Sequence, residues 1–242
     1  MRRRDLDSKE CLSEWHSQPL KLALLLKVRT MAIRMMLMFF AACAFAKVEG
    51  RVVAAGGIKG SRAVTLAESS MPHGVKLSAN DAIAVVLVAE QRLIVRFRGR
   101  EAGYPVSTAK AGVGSKAGSG KTPPGWHKVK SRYGANAKEG QLFVSRKPVK
   151  GVVRSKEECR LGKGDEVLSR IFWLEGLDRR LNKDAKGNYD SHLRCIYIHG
   201  TNQESLLGTP ASHGCIRMGN RDIVELFDFV KSCDDFYVYI MK

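Results

Sequence analysis

The chain has 242 residues, enough for one full domain with extensions, and its 44% hydrophobic content is ordinary for a globular protein. Its formal charge of +17 would attract polyanions such as an anionic wall or membrane surface, although a basic face that serves only solubility remains an alternative. Because no helix-turn-helix, aromatic RNA-binding run or basic-helix signature accompanies this charge, we expect no nucleic-acid partner.

The N-terminal segment has the pattern of an export signal. Arg29 and Arg34 precede a short apolar run that ends in an Ala-x-Ala sequence at 44–46. This order is typical of a secretory signal peptide, and the apolar run is too short to span a bilayer comfortably. We therefore expect residues 1–46 to be a leader, with translation starting at Met31 and the mature protein exported to the periplasm or cell envelope.

The next segment, 47–80, is rich in Gly, Ala and Ser without a strong period and is predicted to be a connector with one strand near 51–53. Beyond it, short apolar runs rich in β-branched and aromatic residues predict strands at 83–88, 92–98, 141–144, 170–174, 195–198 and 236–240. The second run alternates apolar and basic residues, so one of its faces should be wet. Five glycines and two prolines make 109–125 a predicted loop.

Residues 220–232 are predicted to form the main helix. Asn220 has the position of an N-cap, and Asp222 complements the positive end of the helix. A single apolar stripe is formed by Ile223, Leu226, Phe227 and Val230. The expected fold class is therefore α+β, mainly β with one main helix.

The loop also contains Gly118-Ser119-Gly120-Lys121-Thr122, which looks like the end of a phosphate-binding loop. Position 115 is Ser where that motif needs Gly, and the following Pro-Pro-Gly sequence favours a turn where a helix should begin. We therefore expect no nucleotide and no other cofactor.

The stretch most informative about function places a thiol, two imidazoles and two glycines close together: His199-Gly200 and, ending eighteen residues after His199, Ser212-His213-Gly214-Cys215-Ile216-Arg217. A free thiol has a pKa of about 8.5 and needs a base to become a good nucleophile. A nearby His supplies that base, and a neighbouring glycine lets main-chain N–H groups approach an oxyanion. The cluster predicts a cysteine acyl-transfer site.

A metal site is the other functional interpretation of Cys and His together. His213 and Cys215 are only two residues apart, and the chain has no C-x-x-C pair to complete a tetrahedral set. Cys195 and His199 are four apart, but Cys195 lies in an apolar run. We therefore expect no metal.

The cysteine stretch resembles the signature of the L,D-transpeptidases, the YkuD-type catalytic domain of bacterial cell-wall enzymes. Further stretches that resemble the family lie at 91–95, 104–108, 122–125 and 220–223. The likeness covers about residues 82–242. It departs from the family at Ala109, where glycine is usual, and at 130–190, which do not align.

The resemblance implies a YkuD-type, β-sandwich-like L,D-transpeptidase catalytic domain over 81–242. His199 would be the general base and Cys215 the nucleophile, with the carbonyl of Gly200 orienting the imidazole. Main-chain N–H groups around Gly214 and Cys215, with His213, would form the oxyanion hole. No carboxylate is expected to stabilise the imidazolium.

Ser212 and Arg217 are assigned to the substrate-binding side of the site. Arg217 would bind a substrate carboxylate in a bidentate way, with a loop-holding salt bridge as the equal alternative. The hydroxyl of Ser212 is expected to shape the loop rather than to react.

The implied donor is a peptidoglycan stem peptide, attacked at the third residue, usually meso-diaminopimelate, with release of D-alanine. The acceptor would be a second diaminopimelate amine, giving a 3–3 cross-link, or a lysine of an envelope protein. Water would make the site an L,D-carboxypeptidase. Carbapenems would acylate Cys215, and a monomer is expected.

Two alternatives remain open. The chain has a basic strip at 106–156, with twelve Lys or Arg and one acidic residue, and a non-catalytic wall-binding protein would use that strip to grip anionic polymer. A cysteine peptidase acting on proteins is the other.

The remaining cysteines also leave a choice. Cys43 follows two alanines, as in a lipoprotein signal, and would then anchor the protein to a membrane. If Cys215 stays free, at most one disulfide forms among Cys159, Cys195 and Cys233.

Overall fold

The structure is a computed structural model that describes residues 60–242. Strands dominate, which confirms the predicted mainly β class. The strands are β1 (Ala82–Leu87), β2 (Arg92–Phe97), β3 (Arg100–Ser107), β4 (Gly125–Tyr133), β5 (Gln141–Val144), β6 (Lys147–Val153), β7 (Val167–Gly176), β8 (Tyr197–Gly200), β9 (Ile216–Met218) and β10 (Phe236–Met241). The helices are α1 (Gly60–Glu68), α2 (Lys156–Leu161) and α3 (Asn220–Phe229), with a 3₁₀ turn at Glu204–Leu206.

All ten strands belong to one sheet, in the order β4-β10-β1-β2-β3-β9-β8-β7-β5-β6. A further antiparallel pairing joins β4 to β7. This pairing closes the strands from β4 round to β7 into a ring and leaves the β5–β6 hairpin outside it. The hairpin is therefore an appendage of β7, with β6 as an edge strand.

The main hydrophobic core lies on one face of the ring strands and includes α3. The four positions of the predicted apolar stripe are all buried: Ile223, Leu226, Phe227 and Val230. Their spacing therefore predicted correctly which side of the helix packs against the sheet.

The predicted N-cap of α3 is wrong. Gly219 precedes the helix without a side-chain cap, and the Asn220 amide is buried instead. Its Oδ1 accepts from Ser169 Oγ at 2.6 Å, and its Nδ2 donates to the carbonyl of Thr201 at 2.6 Å. A buried amide requires such partners, and these bonds tie the start of α3 to β7 and to the chain after β8.

The outer face of β1 and β2 is covered by α1, where the sequence predicted only a connector. Ala63, Val64 and Ala67 of this helix pack against a second apolar cluster that includes Ile94 of β2. The predicted wet face of β2 is therefore wrong, because α1 buries Ile94 and its Glu68 pairs with the half-buried Arg96. Small residues allow the close approach, but they produce little hydrophobic periodicity.

The predicted loop at 109–125 and all six predicted strands beyond residue 80 are present, but β3, β4, β6 and β9 were not predicted from an apolar pattern. β4 carries several Lys and Arg residues, and the exposed edge strand β6 contains Pro148 and Gly151. Neither shows the apolar alternation by which a strand is recognised. β8 also begins later than predicted, at Tyr197, because Cys195 has a positive φ of 54° and lies in a turn.

Several predictions concern residues outside the described part of the chain: the leader at 1–46 with its start at Met31, the lipid anchor at Cys43, and the strand near 51–53. Within residues 60–242, no helix is long and apolar enough to cross a membrane. The four cysteines of that range are free: Cys159, Cys195, Cys215 and Cys233.

Candidate active site

Two short parallel strands bring the predicted catalytic residues to one face of the sheet. β8 pairs with β9 so that Ile198 lies opposite Ile216 and His199 lies opposite Arg217. Side chains alternate along a strand, so the two isoleucines enter the main core while His199 and Arg217 face the other side. Cys215 directly precedes β9 and therefore shares the face of His199.

The His199 side chain is held in one orientation by its own strand. It is 1% exposed, and its Nδ1 lies 2.7 Å from the carbonyl oxygen of Gly200. Because a carbonyl only accepts, Nδ1 must carry the proton and Nε2 is left as the basic nitrogen. Burial lowers the pKa of His199, so the ring is neutral at neutral pH and able to accept a proton.

The Gly200 position has no room for a side chain. A Cβ there would meet the Asn220 amide oxygen and the main chain of Leu168. The glycine thus lets β8, β7 and the start of α3 approach closely, and this packing sets the position of the carbonyl that holds His199.

The Cys215 thiol is half-buried and bonded to main-chain atoms. Its Sγ accepts from the N–H of Tyr197 at 3.4 Å and donates to the carbonyl of Cys195 at 3.5 Å. Burial raises the pKa of the thiol to about 12. The hydrogen bond from the Tyr197 N–H lowers the pKa, but by less than burial raises it. The resting site therefore holds a neutral thiol and a neutral imidazole.

The loop before Cys215 is organised by the hydroxyl of Ser212. This buried group donates to the carbonyl of Cys215 at 2.6 Å and accepts from the N–H of Gly214 at 3.2 Å. Thr122 donates to the carbonyl of Gly214 at 3.1 Å, which connects the loop to the 109–125 segment. These contacts support the loop-shaping role of Ser212 and leave it no hydroxyl proton for a substrate.

Arg217 and His213 meet at a carboxylate that the sequence did not predict. Arg217 is 1% exposed, with Nη2 2.5 Å from Asp165 Oδ2 and Nη1 2.9 Å from Gln203 Oε1. His213 is 83% exposed and places Nδ1 3.1 Å from the same Asp165 oxygen. Of the two roles left open for Arg217, the structure supports the buried ion pair rather than substrate binding.

Asp165 lies in the 130–190 region that did not align with the family pattern. Burial alone would raise its pKa, but hydrogen bonds from Arg217 and His213 outweigh that effect and hold the pKa below its usual value. Its charge also raises the pKa of the nearby His199 ring. A carboxylate therefore does stand near the imidazole, contrary to the expectation from the sequence.

A family model of the L,D-transpeptidase catalytic domain, YkuD, matches residues 81–238. The chain belongs to this family.

One curated relative of this transpeptidase-family chain matches it over a short segment. The YkuD protein of Bacillus licheniformis is 58% identical over 33 residues, 14% of this chain and 20% of the relative. The match thus spans about a fifth of that protein. Among solved structures, an L,D-transpeptidase of Xylanimonas cellulosilytica is 17% identical, with 73% of this chain and 68% of that chain covered and a TM-score of 0.39.

A second solved relative is L,D-transpeptidase 3 of Mycobacterium tuberculosis in complex with a faropenem-derived adduct. It is 15% identical, with 66% of this chain and 60% of that chain covered and a TM-score of 0.39.

A cleft of about 460 Å³ adjoins the transpeptidase signature on the side of His213. Asp165 and Arg217 form part of its wall, and Leu206 and Pro210 contribute apolar surface. Lys110 adds a positive charge at its rim. The cleft thus combines apolar surface with a few polar groups, and its lining includes neither Cys215 nor His199.

The raised thiol pKa predicts slow alkylation of Cys215. The thiolate is the reactive form, and a pKa near 12 lowers the thiolate fraction at every lower pH. We expect iodoacetamide to modify the exposed Cys195 well before Cys215 at pH 7.5, and the Cys215 rate to keep rising up to pH 10. Peptide mass mapping would measure both rates, and a Cys215 rate that levels off below pH 9 would contradict the raised pKa.

Proposed function

We propose that this domain is a peptidoglycan L,D-transpeptidase with Cys215 as nucleophile and His199 as general base. The observation that carries the proposal is the hydrogen bond between His199 Nδ1 and the Gly200 carbonyl. His199 lies on β8, which pairs with the strand that follows Cys215, and the His199 and Cys215 side chains share one face of the sheet. That arrangement leaves an unprotonated Nε2 on the face of the sheet that Cys215 shares, and base-assisted thiol attack requires such a base.

Acylation begins with a neutral pair. The Cys215 thiol leaves the carbonyl of Cys195 and passes its proton to His199 Nε2 while Sγ bonds to the carbonyl carbon of the third stem residue. The tetrahedral intermediate then breaks its C–N bond, and the imidazolium returns the proton to the departing D-alanine amine. Burial lowers the pKa of His199, and the charge of Asp165 opposes this lowering while the charge of its partner Arg217 adds to it.

The oxyanion requires donors that are not already occupied. The Gly214 N–H is directed to Ser212, so the main-chain N–H of Cys215 is the principal donor in our proposal. The His213 imidazole donates through Nδ1 to Asp165, so its exposed Nε2 can donate a second bond to the oxyanion only in the imidazolium form. Removal of one oxyanion donor typically costs on the order of 10²–10³ in rate.

Deacylation distinguishes the possible products. Attack on the thioester by the amine of a second stem peptide gives a 3–3 cross-link, and attack by a lysine of an envelope protein attaches that protein to the wall. Water gives L,D-carboxypeptidase activity. We propose the stem amine as acceptor and the periplasm or cell envelope as the place of action, because a cross-linked polymer outside the membrane is the material on which this family acts.

The test is incubation of the purified full chain with a disaccharide tetrapeptide, followed by mass analysis of the products. We expect free D-alanine together with a 3–3 dimer, and no cleavage of an all-L peptide of equal length. Tripeptide without dimer would assign water as the acceptor. No D-alanine release, with peptidoglycan binding retained by Cys215→Ala, would replace the proposal by the wall-binding alternative.

A further inference from the structure

The hairpin outside the ring ends in an unusual turn. β5 and β6 are joined by two residues, Ser145 and Arg146, with φ values of 48° and 68°. Two-residue hairpins with both φ values positive favour Asn-Gly, because other side chains are strained in this conformation. The backbone at Ser145 and Arg146 is therefore locally strained. Backbone strain of this kind is concentrated at functional sites.

Arg146 is held by aromatic groups. Its guanidinium carbon lies 4.3 Å from the centre of the Trp173 ring, and its Nη1 donates to Tyr197 Oη at 2.9 Å. Trp173 is in turn stacked on His192, with ring centres 3.9 Å apart and an interplanar angle of 11°. The contacts fix the guanidinium plane and occupy only one of its five donors.

The charge of Arg146 is not neutralised by the protein. Within residues 60–242, Arg146 makes no ion pair, whereas Arg154 pairs with Glu166 and Arg217 pairs with Asp165. Arginine is the residue best suited to a planar anion, since its remaining donors can bind both oxygens of a carboxylate. The oriented, half-buried Arg146 guanidinium, which has no acidic partner in this part of the chain, is therefore suited to bind an anion.

Tyr197 connects this guanidinium to the reacting thiol. Its hydroxyl accepts from Arg146, and its main-chain N–H donates to Cys215 Sγ. Cys215 and Trp173 both pack on the apolar cluster that contains Tyr197. Since an extended peptide advances about 3.4 Å per residue, a carboxylate that meets the hairpin tip would belong to a residue close to the attacked carbonyl.

We propose that Arg146 recognises a free carboxylate of the donor peptide and so determines specificity at this site. The proposal rests on the proposed function, and it moves carboxylate binding from Arg217, which is buried and paired, to Arg146. A tetrapeptide stem offers two carboxylates of this chemistry near the attacked carbonyl, one on the diaminopimelate side chain and one on the terminal D-alanine.

The experiment measures dissociation constants in full-length Cys215→Ala protein, so that no turnover is needed. Three peptides are compared by calorimetry: the native tetrapeptide, the same peptide with the diaminopimelate carboxylate amidated, and the same peptide with the C-terminal carboxylate amidated. We expect one amide to weaken binding by about 10–100-fold, as for loss of a charged hydrogen-bonded pair, and its identity names the carboxylate that is bound.

Adding Arg146→Gly to the Cys215→Ala protein should remove the discrimination, that is, the difference in dissociation constant between the native peptide and the amidated one. Glycine suits the positive φ of this position, so the hairpin should keep its turn and the melting temperature should stay within a few degrees. Arg146→Lys keeps the positive charge but loses the planar pair of guanidinium donors, and it should retain part of the discrimination. Lys147→Ala removes the neighbouring exposed charge and should retain all of it.

Equal binding of the three peptides, or discrimination that survives Arg146→Gly, would overturn the assignment. Equal loss of discrimination in Lys147→Ala would do so too, because it would indicate a diffuse basic surface. The proposed function is judged separately, by D-alanine release from wild-type protein. Discrimination that is lost in Arg146→Gly would therefore support carboxylate recognition even if the wild type released no D-alanine.

Discussion

Cys215→Ala is expected to form no covalent adduct with a carbapenem, whereas the wild-type chain gains the mass of one drug molecule. The thiol is the only group in the cluster that can form a thioester, and His199 is the base positioned by Gly200 to accept its proton. His199→Ala should therefore lower the acylation rate by at least about 10⁴-fold, the drop seen when the orienting Asp of a serine-protease triad is replaced. Intact mass spectrometry over time measures both effects.

The matched control is Cys195→Ser. Cys195 is an exposed thiol, and its main-chain carbonyl accepts a hydrogen bond from Cys215 Sγ. This variant should keep the single adduct and its rate. Labelling of Cys215→Ala at the wild-type level, or equal rates for His199→Ala and wild type, would contradict the assigned roles.

Asp165→Ala is expected to destabilise the fold by about 3 kcal/mol, since a buried guanidinium that loses its carboxylate keeps the cost of desolvation without the attraction. Arg217 is 1% exposed, retains only its bond to Gln203, and already has an unpartnered Nε in the described part of the chain. Urea unfolding of the variant should show a lower midpoint with an unchanged slope.

Two further variants separate this ion pair from its surroundings. His213→Ala removes the other partner of Asp165, but that side chain is 83% exposed and should cost less than about 1 kcal/mol. Asp165→Ala combined with Arg217→Met removes the unpaired charge and should be more stable than Asp165→Ala alone. A double variant as unstable as the sum of the two single variants would show that the pair does not act as a unit.

The chemistry at the centre of the site could be read from local sequence. His199, Gly200 and the 212–217 run are short contiguous motifs, and their chemistry depends on residue type and on strand alternation over a few positions. The same is true of the core stripe of α3. The strands at 83–88 and 92–98 were also predictable, because burial of both runs left a clear apolar signal.

Long-range packing produced the features that were missed. α1 covers β2 with small residues, and the N-terminal amide of α3 turns inward because Ser169 and Thr201 happen to meet it there. Asp165 and Arg146 lie between β4 and β8, outside the apolar runs from which β5 and β7 were predicted. Neither residue is close in sequence to the groups that it contacts.

The sequence alone thus established which residue types are available for acyl transfer, since a thiol, an imidazole and a glycine turn act through their own chemistry. The closed sheet established what surrounds them: a carboxylate for Arg217, an aromatic support for Arg146 and a half-buried thiol with a raised pKa. These properties arise from contacts between segments tens of residues apart. They depend on burial and charge that exist only once the chain is folded.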